Sequence, residues 1–183
     1  MKQLFILLAT GITLLCCSSS FDKPETINEK QITNNESKMS NPTNNPYYSR
    51  TDTNKLNLTN EQWKAVLPDS IYYIAREKGT EYAFSGKYWN HTGLGIYYCA
   101  ACGNKLFKSD AKFSSSCGWP SFFETIRKDA VIYYEDRTHG MIRVEVVCGR
   151  CEGHLGHIFD DGPKPTGKRY CMNSLMLDFE PEK

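Results

Sequence analysis

No charge of one sign dominates this chain. Its 22 Lys and Arg stand against 21 Asp and Glu, a formal charge of +1 over 183 residues. Counterion release from a nucleic acid needs a basic excess or a basic face, so charge-driven nucleic-acid binding is excluded as the leading function. No apolar run reaches the ~20 residues of a membrane-spanning helix, which excludes a polytopic membrane protein. Between residue 18 and Leu56 the aliphatics are few: Ile27, Ile32 and Met39 stand alone there. What remains is ordinary for a globular protein, with 40% hydrophobic and 23% charged residues, and the length suits one domain with an appendage. Cysteine is the exception. Eight of them are too many to be incidental and too few for a small disulfide scaffold of this length.

The first segment reads as an address. Met1-Lys2-Gln3 gives a positive start, Leu4 to Leu15 an apolar run, and Cys16, Cys17 and three serines a small-residue exit. That is the order of a secretory signal, too short for a bilayer span. Its end resembles a bacterial lipoprotein box, in which a cysteine becomes the lipidated first residue of the mature chain. Cys17 takes that role with Leu14 three positions before it. Cys16 then fills a slot where Gly, Ala or Ser is usual, and choosing Cys16 instead puts Leu15 there. Two or more acyl chains would anchor the protein stably. Residues 18–57 are rich in Asn, Ser, Thr, Lys and Pro and repeat at neither 2 nor 3.6 residues, so no face can be buried. A coil of that length reaches about 35 Å, a tether lifting a domain at 58–183 off a membrane.

In the domain, Thr59 followed by Gln62 predicts a capping box, with Trp63 and Val66 one turn apart. Pro68 interrupts, and Ile71 to Arg76 predicts a second short helix ended by Lys78-Gly79. From Ile96 the pattern turns to strands. Val131 to Tyr134, a turn at Arg137-Thr138-His139-Gly140, and alternation over Met141 to Cys148 predict a hairpin. Ile142, Val144 and Val146 are expected on its core face, with Arg143 and Glu145 on a wet one. Tyr170 to Phe179 is expected as a further strand. Helices first and strands afterwards predict a mainly β domain of antiparallel sheets.

Cys99-Ala-Ala-Cys102 and Cys148-Gly-Arg-Cys151 are two C-x-x-C pairs 45 residues apart. Paired short-spaced knuckles are the signature of a structural four-thiolate zinc site; two disulfides or one redox-active pair are the alternatives in an oxidising compartment. Cys117 and Cys171 are left over. On a strand Arg169, Cys171 and Asn173 share one side. A guanidinium favours the thiolate, the attacking form, and Asn173 offers an amide donor; a small buried core residue is the alternative for Cys171. His154 and His157 flank a glycine after the second knuckle and read as proton donors in a site. Trp119 reads as core or as the wall of an apolar pocket.

LTNEQW, EKGTEYAFSGKYWNH, GIYYCAACGNKLF, CGWPSF, HGMIRVEV, CGRCEGHLGHIF and DGPKPTGKRYCMNS stand in this order between residues 58 and 174. Together they resemble the methionine-R-sulfoxide reductases. Tyr82-Ala83, where prolines are frequent, and Asn90, where an acid is usual, depart from the pattern. The resemblance implies a tent-like pair of antiparallel sheets with short N-terminal helices. It implies Cys171 as nucleophile and Cys117 as resolving cysteine, joined in a disulfide after each turnover. His154, His157 and Asn173 would hold the sulfoxide, Arg169 would activate the thiol, and Trp119 would accept the substrate's methyl group. Cys99, Cys102, Cys148 and Cys151 would hold structural Zn2+.

The implied reaction reduces free or protein-bound methionine-R-sulfoxide, leaving a Cys171 sulfenic acid that is recycled by a thioredoxin-like donor. A leader of this kind places the enzyme, expected as a monomer, in the bacterial cell envelope, lipid-anchored, where cytosolic thioredoxin cannot reach it. The reductant is then expected to be exported or membrane-linked. A non-catalytic zinc-binding interaction module and a general thiol-disulfide oxidoreductase are the competing functions.

Overall fold

The computed structural model describes residues 45–183; Cys16, Cys17 and the rest of the leader lie outside them. Helix α1 (Asn60–Val66) starts where the capping box predicts, with Thr59 and Gln62 bonding each other's backbone reciprocally. It buries Trp63 and stops before Pro68, where Leu67 is extended, the conformation forced on a residue preceding proline. Helix α2 (Asp69–Glu77) places Asp69 in its first turn and Arg76 in its last, both signs favourable to the helix dipole. Its end differs in detail from the usual glycine cap. Lys78 itself takes the left-handed conformation, while Gly79 is needed because any Cβ there would collide with the Tyr73 ring.

Nine strands follow among the described residues: β1 (Gly95–Cys99), β2 (Lys105–Lys108), β3 (Lys112–Phe113), β4 (Ser121–Phe122), β5 (Val131–Asp136), β6 (Arg143–Cys148), β7 (His154–Phe159), β8 (Arg169–Met172) and β9 (Leu177–Pro181). They form two antiparallel sheets, β2-β1-β9 and β3-β4-β8-β7-β6-β5. The sheets meet through aromatic side chains. Phe107 of one stacks on Phe122 of the other at 4.2 Å between centroids, and Tyr97 meets Phe122 edge-on at 5.0 Å. All three are fully buried. Burying a phenylalanine contributes up to about 3 kcal/mol, and an aromatic pair about 1 kcal/mol more.

Three expectations are corrected here. Tyr170 to Phe179 is not one strand. A 3-10 turn at Ser174–Met176 separates β8 from β9, which lie in different sheets. The turn is made by tertiary contacts: the Glu81 carboxylate accepts the N–H groups of Ser174 and Leu175 at 2.6 and 2.9 Å, and the Ser174 hydroxyl accepts the Tyr88 N–H at 2.6 Å. In β6 Val146 is buried as expected, but exposure does not alternate: Glu145 to Cys148 are all buried, and the exposed residues lie at the strand's start. Glu145 is 2% exposed, whereas Ile142 and Val144 are 73% and 42% exposed. Glu145 is covered because Lys78 and His154 reach it at 2.7 and 2.8 Å.

The third correction concerns the tether. Residues 45–57, assigned to it by composition, hold to the domain. Asn45 donates to the Ala101 carbonyl at 2.8 Å, the Ser49 N–H to that of Cys102 at 3.0 Å, and the Leu56 N–H to that of Arg150 at 2.8 Å. Tyr47 packs edge-on against Trp63 at 5.8 Å. The Arg150 side chain, 3% exposed, clasps this strap from the second knuckle. It donates to the carbonyls of Tyr47, Asn54 and Cys102 and to the Asp52 carboxylate. Arg150→Ala leaves buried carbonyls without donors and is expected to cost on the order of 3 kcal/mol in urea unfolding. Arg150→Lys should recover only part, since an ammonium cannot span four acceptors in a planar fork. Unchanged stability in Arg150→Ala would show that the clasp contributes nothing.

Candidate active site

The register of the larger sheet sets the site. Glu145 pairs with His157, His157 with Cys171, and Cys171 with Ser121. Directly paired residues share a sheet face, so a row of four polar side chains crosses β6, β7, β8 and β4. Gly156 makes the row possible. It lies against the Cys171 carbonyl oxygen, where a Cβ would collide, so only glycine lets β7 and β8 close at this point.

A cavity of about 130 Å³ opens on this row, with Cys171, His157, Asn173, Trp119, Arg143 and Phe159 in its wall. Trp119 is a half-buried wall residue, its indole N–H held by the Glu81 carbonyl at 3.2 Å. Cys117 approaches from the loop before β4. Gly118 turns that loop with a φ of 87°, and a Cβ there would meet Ala83 and Phe84 at 2.9 Å. The Cys117 and Cys171 sulfurs stand 3.7 Å apart, and Ser121 Oγ lies 3.5 Å from Cys117.

These thiols titrate as a pair. Burial and the neighbouring Cys117 push the Cys171 thiol up to about 12, against the opposing pull of Arg169. Burial also opposes ionisation of Cys117, but hydrogen bonds from Ser115, Ser121, the Trp119 backbone and the Cys171 thiol outweigh it and bring Cys117 down to about 7. Of the two, Cys117 is the more readily ionised and Cys171 holds its proton more tightly. The thiolate-stabilising effect expected of Arg169 is present but smaller than the effect of burial.

Other expected site residues are placed differently from the sequence reading. His154 does not reach the cavity. It is 3% exposed, its Nδ1 bonds Glu145 at 2.8 Å, and its ring stands 5.4 Å behind that of His157. Asn173 lines the cavity, but its amide is engaged: Oδ1 accepts the Glu81 N–H at 3.0 Å and Nδ2 donates to the Leu155 carbonyl at 3.1 Å. Arg169 is anchored by two bonds of 2.9 Å to Asp161 and lies over the Phe159 ring at 4.4 Å. Sequence reasoning passed over Glu81, Asp136, Arg143, Glu145 and Asp161. Only Arg143 and Glu145 left a trace, as the polar face of an otherwise apolar strand.

The other four cysteines among the described residues form a second centre. Their sulfurs lie within 4.8 Å of one another, with Cys99–Cys151 at 3.8 Å and Cys102–Cys148 at 3.6 Å, all buried. A tetrahedron with zinc–sulfur bonds of about 2.3 Å has edges of about 3.8 Å, so the donor set fits that metal. The distances exceed the ~2.05 Å of a disulfide bond.

Comparison with known proteins identifies the family. A family model described as the SelR domain matches residues 67–181. The chain belongs to the SelR family. Its relatives include proteins named peptide methionine sulfoxide reductase MsrB. That of Thiobacillus denitrificans is 56% identical over 124 residues, 68% of this chain and 94% of the relative. That of Agrobacterium fabrum is 52% identical over 127 residues, 69% and 94%, and that of Acinetobacter baumannii 51% over 129 residues, 70% and 93%. The SelR match holds both C-x-x-C pairs, Cys117 and Cys171, and leaves the strap at 45–56 outside it.

Proposed function

We propose that this SelR-family chain reduces methionine-R-sulfoxide to methionine through Cys171 and Cys117. The observation that carries the scheme is the 3.7 Å contact between the two sulfurs, with Cys171 open to a cavity that also holds an imidazole and an indole. Cys171 attacks the sulfoxide sulfur, a proton reaches the oxygen, methionine leaves, and Cys171 remains as a sulfenic acid. Cys117 condenses with it, releasing water, and a dithiol reductant reopens the disulfide. Trp119 offers the substrate's methyl group an apolar contact, and a walled pocket of this kind can tell one sulfoxide epimer from the other.

Cys99, Cys102, Cys148 and Cys151 are assigned to structural zinc. Four thiolates complete the metal's shell and leave no position for substrate. Their burial also argues against a general thiol-disulfide oxidoreductase, which would need a C-x-x-C pair within a partner's reach. From the leader sequence we assign lipidation to Cys17, a place in the bacterial cell envelope, and an exported or membrane-linked thioredoxin-like reductant. The substrates are oxidised proteins or free methionine-R-sulfoxide.

The deciding experiment supplies the purified full chain with dithiothreitol and each epimer of a methionine sulfoxide derivative separately. Consumption of the R epimer alone supports the reading. Consumption of neither, or of both equally, overturns it.

A further inference from the structure

A sulfoxide is reduced only when a proton reaches its departing oxygen, and the source of that proton is a question that rests on methionine-R-sulfoxide being the substrate. His157 is the imidazole at the cavity. Its Nε2 lies 2.7 Å from Asp136 Oδ2. The same oxygen accepts Arg143 Nη2 at 2.6 Å, and Oδ1 accepts the N–H and O–H of Thr138 at 2.9 and 2.6 Å. The Thr138 hydrogen bonds, then those of His157 and the charge of Arg143, outweigh burial and hold this carboxyl well below the ordinary carboxylate range. It is therefore ionised at any physiological pH.

An ionised carboxylate only accepts hydrogen bonds. Nε2 of His157 must then carry hydrogen in both charge states of the ring. Neutral His157 is the Nε2–H tautomer, and Nδ1 keeps a lone pair. No side chain or backbone group among the described residues bonds that nitrogen, and His157 stands directly across the β7–β8 pair from Cys171.

We propose that Asp136, backed by Arg143, is a positioning residue that fixes His157 in the tautomer whose Nδ1 passes a proton from Cys171 to the sulfoxide oxygen. The Cys171 thiol gives its proton to Nδ1, leaving a thiolate and an imidazolium. The thiolate attacks the sulfoxide sulfur while Nδ1–H protonates the oxygen. The substrate's S–O bond is exchanged for an S–O bond on Cys171. Methionine leaves two electrons richer, Cys171 becomes a sulfenic acid two electrons poorer, and the thiol proton ends on the sulfenic oxygen. The Asp136 carboxylate stabilises the imidazolium in between, the role an aspartate plays behind a catalytic histidine elsewhere.

The groups facing His157 are Asp136 on β5, Arg143 and Glu145 on β6, His154 on β7 and Cys171 on β8. Burial first, then Arg143, lowers the imidazole below its ordinary value, while Asp136 and Glu145 raise it; the net shift is downward. His157 is accordingly neutral and ready to accept at pH 7. Removing the Asp136 charge lowers it further, and removing the Arg143 charge raises it.

The test measures single-turnover reduction of a methionine-R-sulfoxide derivative by the full chain carrying Cys117→Ser, which removes the other nearby acceptor for the Cys171 proton. Adding Asp136→Asn, whose amide can donate to Nε2 and impose the wrong tautomer, should slow the step about 100-fold while half-saturation stays within about twofold. The acid limb of its pH profile should move to lower pH, and that of Arg143→Gln to higher pH. Nitrogen-15 NMR should find Nε2–H on His157 in the parent and Nδ1–H in Asp136→Asn. Asp136→Glu, which keeps the charge, should recover much of the rate.

A parental rate and profile in Asp136→Asn, or an Nδ1–H tautomer in the parent, overturns the inference. Equal losses in the Asn and Glu variants with an unmoved acid limb mark a merely structural role and also overturn it. If the parent reduces neither epimer, the functional reading fails instead, while the tautomer measurement still tests the Asp136–His157 geometry.

Discussion

Cys171→Ser is expected to lower sulfoxide reduction by at least about a thousandfold and to leave the fold intact. The hydroxyl is close to the thiol in size, so the surrounding sheet has little reason to repack. Reactivity is what changes: the sulfoxide sulfur calls for a soft nucleophile that can afterwards hold oxygen as a sulfenic acid, and a serine oxygen does neither. Cys117→Ser should behave in the opposite way. Cys171 is still present, so each chain should release about one methionine and then stop, with a sulfenic acid that a dimedone-type probe marks in the mass spectrum.

In the parent that species is short-lived. The Cys117 sulfur has only to close from 3.7 Å to the ~2.05 Å of a disulfide, on a loop already turned by Gly118. Counting methionine released per chain with and without a protein dithiol checks both variants together. Normal recycling of Cys117→Ser by that dithiol would remove Cys117 from the scheme.

How much of this was legible in the sequence depended on how local its cause was. The capping box at Thr59 and Gln62 is a contact between residues three apart, and it formed as spelled. The two C-x-x-C pairs are local turns, so their spacing announced a four-sulfur cluster although 45 residues separate them. The break between β8 and β9 was not legible. The run from Arg169 to Phe179 contains no glycine or proline, and the turn comes from Glu81, more than ninety residues earlier in the chain.

The burial of Glu145 on β6 has the same origin. An alternating strand specifies which residues share a side, but here Lys78 and His154 decide that the acidic side is covered. The histidines show the limit most clearly. His154 and His157 look equivalent beside Gly156, yet the β6–β7 pairing shifts register at Val146/Val147, between them, and only His157 lines the cavity. Composition likewise misjudged residues 45–57. A polar segment without periodicity can still be ordered when buried carbonyls and an arginine fork accept its backbone.

Cys148→Ser is expected to unfold the domain, a larger effect than any single change in the cavity wall outside Cys171. Cys99 ends β1 of the small sheet, and Cys148 ends β6 of the large one. A metal held by both pairs is therefore a bond between the two sheets. The binding free energy of a structural zinc, about 10–16 kcal/mol, is folding free energy, and it is as large as the ~5–15 kcal/mol net stability of a typical domain.

A serine at 148 weakens that bond and leaves a hydroxyl among buried sulfurs. The variant should be recovered poorly, with little zinc, and should lack cooperative thermal unfolding. A strong chelator should lower the parent's thermal midpoint by more than about 10 °C. Metal analysis of the purified parent should find about one zinc per chain; a metal-free parent that unfolds cooperatively, indifferent to chelator, would refute the assignment. Activity should fall with the fold. Only two residues separate Cys151 from His154, where β7 begins, so a loosened knuckle releases the strand that holds His157 opposite Cys171.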